Sequence, residues 1–308
     1  MKKFFLAGAI VTSLLLGNSV DAARYFTQGD KPGSSTPYGE NVRLGKYAQA
    51  GDAKIYYEVY GAGEPILILH GGGVGTPYEL GKILDKLKNN HKLIVMSTRG
   101  HGRSEIGHEP LTYKQKADDA LAVLDALKIS APVQILGFSD GAYTAYEIAA
   151  LYPARVERIT AIGAGTLKAG YFQSEISLAD LEKFDEKFFA AQKKIRPEPE
   201  RRQEFLSDYM KLWSRQSVGA ETFEKIKCPV LLIAGDEDDH APIITVLEAH
   251  QLIENSRLCV VPKAWHTAFL DNYDVTATAI LQFVNAPLKN LQPSKKVEYN
   301  SKTLEVIK

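Results

Sequence analysis

The chain has 308 residues, 45% of them hydrophobic and 24% charged, and its acidic and basic residues balance to a formal net charge of zero. That composition excludes disordered and collagen-like chains, and the charge balance gives no basis for binding nucleic acid or an anionic membrane surface. The length suits one large α/β domain or two small ones, with enough chain to bury a sizeable core.

The first element is a leader. Lys2 and Lys3 precede an apolar run over residues 4–16, too short to span a bilayer comfortably, and Val20-Asp21-Ala22 follows with small residues. This pattern predicts a secretory signal peptide cleaved after Ala22, and hence an exported protein, periplasmic or secreted. An uncleaved N-terminal anchor is the alternative. No cysteine follows the apolar run, which argues against a lipoprotein attachment. Export would permit disulfides, but Cys228 and Cys259 lie in segments that read as core strands, and buried free thiols are expected.

Residues 23–41 are rich in Gly, Ser and Pro and read as an extended lead-in. Two β-rich runs around Gly51-Asp52 then give a hairpin signal. The run EPILILHGGG is uninterruptedly apolar before its glycines, as in a strand buried on both faces of a parallel sheet. From there the pattern alternates. Helix is expected at about 77–89, strand at 92–98, helix at 113–128, strand at 132–138, and helix at about 140–152, stopped by Pro153. VERITAIGA is the next strand. The alternation breaks over residues 166–226, where Phe184, Phe188, Phe189, Phe205, Tyr209 and Trp213 recur at helical spacing around IRPEPERR. It resumes with a strand at 228–235, a helix at about 242–253, a strand at 256–262 and a helix at about 268–285. The residues beyond, 287–308, read as a polar, loosely held tail. The predicted class is α/β: a doubly wound, mostly parallel β-sheet flanked by helices, with a core formed by 42–165 and 227–286 and a helical cap inserted at 166–226.

Chemistry concentrates at strand ends. Gly137-Phe138-Ser139-Asp140-Gly141 is G-x-S-x-G between a strand and a helix. The glycines leave room for a sharp turn that projects the serine hydroxyl, making Ser139 a candidate nucleophile rather than a helix cap. A serine needs a base, and the base an orienting carboxylate. His266, in the loop after the last strand, is the expected base, with His240 as the rival. Asp238, in the loop after the preceding strand, is the expected carboxylate, with Asp236 and Asp239 as alternatives. The acid–His run DEDDH lacks the spacing of a calcium loop and has no second ligand cluster, so no metal is expected. The glycine turn after His70 is expected to supply the Gly72 amide to an oxyanion hole, paired with the amide of Asp140. The Asp140 side chain has two readings: a charge at a helix N-terminus, or a group facing the cleft to pair with a substrate amine.

These pieces in this order resemble the α/β-hydrolase fold superfamily over roughly residues 42–286. STRGHGRS, residues 97–104, adds to the likeness. It is similar to the segment after the fourth strand in esterase- and lactonase-like members, although Ser97 stands where Asp is common. The resemblance implies that His101 is structural and that no cofactor is needed. It also implies a small-molecule substrate cleaved through a Ser-His-Asp triad and an acyl-enzyme. An ester or lactone is the expected substrate. An amidase or aminopeptidase using Asp140 is the alternative, with an acyltransferase or a non-catalytic scaffold further behind. Members with an Asp nucleophile act as dehalogenases, and Ser139 argues against that chemistry.

Overall fold

The computed structural model describes residues 23–173 and 175–293, together with the two-residue strands Glu298–Tyr299 and Val306–Ile307. The leader predicted for residues 1–22 lies outside the described residues. Among these, no helix is long and apolar enough to cross a membrane.

Eight strands form one sheet: β1 (Lys46–Ala50), β2 (Ala53–Tyr60), β3 (Glu64–Leu69), β4 (His91–Met96), β5 (Val133–Phe138), β6 (Val156–Ile162), β7 (Val230–Gly235) and β8 (Ser256–Val261), in the spatial order β1-β2-β4-β3-β5-β6-β7-β8. The expected hairpin is β1–β2, with Ala50 paired to Ala53 across the turn. β1 and β2 run antiparallel, β2 joins β4 antiparallel, and every later pairing is parallel. From β3 the chain first crosses to β4 on one side and then returns to place β5 on the other. That reversal is a topological switch point, where open α/β sheets bind ligands beyond the strand carboxyl ends.

The central strands bury both faces, and this explains their continuous apolar runs. In β3, Leu67 and Leu69 face one core with α2 (Tyr113–Ala126), α3 (Asp140–Leu151) and α8 (Ile243–Leu252). Ile66 and Ile68 face the opposite core with α1 (Gly81–Leu87) and α10 (Tyr273–Val284). The period-2 alternation thus feeds two apolar layers.

Between β6 and β7 lie α4 (Leu178–Phe184), α5 (Glu186–Ile195), α6 (Arg202–Arg215) and the single turn α7 (Ala220–Phe223). The first helical stretch breaks at Asp185, whose side chain accepts the Phe188 amide and starts α5 anew. Of the aromatics at helical spacing, Phe188, Phe189, Phe205 and Tyr209 are buried, but Phe184 is 78% exposed and does not pack. The final helix is also divided: α9 (Ala268–Asp271) ends at Asn272, and α10 follows.

Two expectations need correction. The cysteines are free but half-buried, and Cys228 precedes β7 rather than lying in it. Burial still pushes the Cys228 thiol up to about 12. The lead-in is docked rather than merely extended, with Ala23, Tyr25 and Tyr38 buried and Glu58 accepting the amides of Gly39 and Asn41. In the tail, Glu298–Tyr299 pairs antiparallel with Val306–Ile307.

Candidate active site

Ser139 stands at the end of β5, where the chain must reverse into α3. Its φ is +51°, in the left-handed region that non-glycine residues rarely adopt. The turn is locked from two sides. The Ser139 amide donates to the Ile162 carbonyl on neighbouring β6 at 2.7 Å. Gly141 lies so close to β3 that a Cβ there would meet the Leu69 carbonyl oxygen at 2.3 Å. Although Ser139 occupies the N-cap position of α3, its hydroxyl makes no capping bond. Oγ instead lies 2.8 Å from His266 Nε2.

His266 follows β8, and its Nδ1 lies 2.9 Å and 3.1 Å from the two carboxylate oxygens of Asp238, which follows β7. An ionised carboxylate only accepts, so Nδ1 carries the proton and Nε2 is free to accept from the serine hydroxyl. The Asp238 side chain is fully buried, whereas that of His266 is 18% exposed. Burial pushes the Asp238 carboxyl up, but the His266 hydrogen bond and charge and the amides of Ala241 and His240 outweigh it and hold it below the ordinary carboxylate value. The rivals lie elsewhere. Asp236 accepts the Ala264 amide at 3.1 Å and ties the two loops together. Asp239 is exposed and holds the His240 ring. His240 stacks on His266 with ring centroids 4.7 Å apart. Ligand atoms of Asp238, His240 and His266 lie within 4.8 Å of one another. Asp238 and His266 already bond each other there, and the two imidazoles are stacked face to face rather than aimed at a common point.

The glycine turn after β3 meets the serine turn. A Cβ on Gly72 would lie 2.7 Å from both Tyr209 and Trp213 and 2.9 Å from the Asp140 Cβ, so only a hydrogen fits. Glu79 accepts the Gly71 amide at 2.8 Å, and His70 Nδ1 donates to the Gly71 carbonyl at 2.7 Å. Nε2 of His70 accepts the Thr98 amide at 3.0 Å. Burial drives His70 down to about 3, so the ring stays neutral while holding the turn. His101 is fully buried against the rings of His70, Phe205 and Tyr209 and takes no part in the site surface.

The Asp140 carboxylate does not face the cleft, contrary to the substrate-amine reading, and it is not a simple solvated helix-end charge. It is 1% exposed and paired with Lys116 Nζ, while Tyr209 Oη and Trp213 Nε1 each donate to it at 3.2 Å. Lys116, Tyr209 and Trp213 are members of the site that sequence reasoning missed. One signal was available for Lys116: it falls among Tyr113, Ala117, Ala120, Val123 and Leu124 on the buried stripe of α2, where a lysine requires a partner. A cavity of about 510 Å³ opens over Ser139 and His266, lined by Gly71–Gly75, Phe138, Trp213 and His240 among others.

A model of the alpha/beta hydrolase fold family matches residues 64–206. A protein named "Putative carbamate hydrolase RutD" from Azorhizobium caulinodans is 32% identical over 127 residues, which is 41% of this chain and 47% of that relative, so the match spans less than half its length. The human "Serine hydrolase BPHL" is 25% identical over 304 residues, 88% of this chain and all of that one. Among solved structures, an esterase from Exiguobacterium antarcticum superposes with a TM-score of 0.63 at 23% identity, covering 79% of this chain and 100% of that chain. The chain has the α/β-hydrolase fold. The chain is an enzyme of the hydrolase class.

Proposed function

We propose that the protein is a serine hydrolase that cleaves a small-molecule carboxylic ester or lactone through an acyl-enzyme. The observation that carries this reading is the unbroken hydrogen-bond chain from buried Asp238 through His266 to Ser139 Oγ, opening on the cavity. Ser139 Oγ attacks the carbonyl carbon as His266 Nε2 takes its proton. Asp238 keeps the imidazole in the accepting tautomer and stabilises the imidazolium. The amides of Gly72 and Asp140 receive the negative oxygen of the tetrahedral adduct. His266 returns the proton to the leaving alkoxide, and the acyl-enzyme forms. A water then repeats the sequence, giving up its proton to His266 and releasing the acid. The serine hydrolase and the esterase among the similar proteins support this chemistry. The aminopeptidase alternative loses its main support, because Lys116 already occupies the Asp140 carboxylate that would have met a substrate amine.

A fluorophosphonate should label the purified chain once, at Ser139, and Ser139→Ala should abolish both labelling and hydrolysis of p-nitrophenyl acetate. Full turnover by Ser139→Ala would sink the proposal, since losing the triad serine costs ~10⁶ in kcat where measured. Export is part of the same reading: the protein recovered outside the cytoplasm should begin at Ala23, and recovery of an intact Met1 terminus there would contradict it.

A further inference from the structure

The lead-in reaches the cavity. Tyr25, Phe26, Thr27 and Lys31 line the same space as Ser139 and His266. None of them belongs to a strand or helix, so what fixes them decides whether they form a wall.

Three anchors do. The Asp185 carboxylate accepts the Thr27 amide at 2.9 Å and pairs with Arg24 at 3.3 Å, while its other bond caps α5. Phe26 sits edge-on against both Phe188 and Phe189, with centroids 5.7 and 5.9 Å away. Tyr25 is buried against the Tyr78 ring, and its amide donates to Gln28 Oε1 at 3.1 Å. The break between α4 and α5 therefore places Asp185 where it can serve the helix and the lead-in together. Thr27 is held at φ +59°, a costly conformation for a β-branched residue and one that persists only where surrounding contacts impose it. Among the described residues, two of the four non-glycine residues with positive φ, Thr27 and Ser139, thus border one cavity.

We infer that residues 23–31 form a strap that closes one wall of the substrate cavity and sets the length of the acyl or alcohol group the enzyme accepts. The inference rests on the ester-hydrolase reading above. Phe26 is the apolar stop in this wall, and the Arg24–Asp185 pair positions it without lining the cavity. A hydrophobic wall discriminates by bulk, so shortening Phe26 admits longer chains while leaving the attack on the carbonyl untouched.

The test uses the full chain and p-nitrophenyl esters from acetate to decanoate. In Phe26→Ala, the ratio of kcat/KM for decanoate to that for acetate should rise about ten-fold. Arg24→Ala removes no lining side chain but releases the strap from Asp185, and should move the ratio in the same direction by a smaller factor. A strap that only stabilised the fold would lower the unfolding temperature of both variants and leave the ratio where it was, and that result would overturn the inference. Turnover with an unmoved ratio rejects the strap alone. Absence of turnover in the unaltered chain rejects the ester-hydrolase reading and the strap with it.

Discussion

Replacing Asp238 by Asn changes one atom at the buried end of the Asp238–His266–Ser139 chain. In the native site Oδ1 accepts the amides of His240 and Ala241, both at 2.9 Å, and Oδ2 accepts from His266 Nδ1 at 2.9 Å. An asparagine must keep its carbonyl oxygen toward the two amides, because turning its NH₂ that way sets donor against donor in a buried place. The NH₂ then faces His266 Nδ1. The imidazole responds by carrying its proton on Nε2, where it donates to Ser139 Oγ instead of accepting from it. The nucleophile loses its base while every side chain keeps its position. The corresponding change in a chymotrypsin-like triad costs ~10⁴ in kcat, which at ~1.36 kcal/mol per decade is ~5.4 kcal/mol of barrier. Because the hydrogen bonds to both amides survive, the unfolding midpoint should move by only a few degrees. The assay is steady-state hydrolysis of p-nitrophenyl acetate at pH 7.5 beside thermal unfolding. A loss of less than ten-fold, or an equal loss in Asp236→Asn, would refute the assignment of the carboxylate to Asp238.

Buried imidazoles and buried carboxyls pull the pH dependence of stability in opposite directions. Burial holds His70 at about 3 and His101 well below its ordinary value, so both stay neutral in the native state while the unfolded chain takes up protons below about pH 6.5. For these two rings the unfolded state then binds more protons, which lowers stability as pH drops below about 6.5, whereas Glu79 and Glu40, raised by burial to about 8 and about 7, take up protons first in the native state and raise it. An NMR titration of the folded chain should show both rings neutral from pH 7.5 to 5, and protonation of either near pH 6 would contradict this. Lys116→Met leaves the Asp140 carboxylate buried without its cation and should cost ~3–5 kcal/mol in urea unfolding, with Lys116→Met/Asp140→Asn recovering part of the loss. Gly141→Ala drives a methyl into the Leu69 and His70 carbonyl oxygens, at 2.3 and 2.6 Å. It should lower stability by ~1–3 kcal/mol or more and reduce kcat, because the displaced backbone carries the Gly72 turn.

The parts legible in the sequence were those set by local rules. Apolar runs buried on both faces marked β3 to β7, and Pro153 marked the end of α3. The constraints at Ser139 are also local, since a strand, two glycines and a helix must surround the turn. Asp238 was separable from Asp236 and Asp239 only by counting past Gly235, and the structure gives the reason: the turn brings Asp238 beneath His266 while Asp236 points back to Ala264. Helix breaks were not legible. Asp185 and Asn272 interrupt segments whose apolar spacing continues across them, and what stops each helix is a side-chain or backbone contact with no period. The lead-in misled for the opposite reason: Gly, Ser and Pro describe how freely a chain bends, and say nothing of Asp185, which lies about 160 residues away and holds it down.

The Asp140 carboxylate shows how a residue can be well placed in sequence and still be misread. A carboxylate directly after the nucleophile has two open outlets, the helix dipole and the substrate, and both are local arguments. The deciding partner sits on α2, 24 residues earlier, and two more come from α6 in the insertion. Burying that charge without a cation would be far costlier than leaving it to solvent. Lys116 therefore had to stand on the apolar stripe of α2, and Tyr209 and Trp213 had to bring polar atoms to the same point. Trp213 and Tyr209 also close over Gly72, so the carboxylate that sequence left between helix end and substrate instead joins the nucleophile turn, the glycine turn and the inserted helix. In the proposed mechanism a substrate meets the amide of Asp140, while the side chain is held by Lys116, Tyr209 and Trp213.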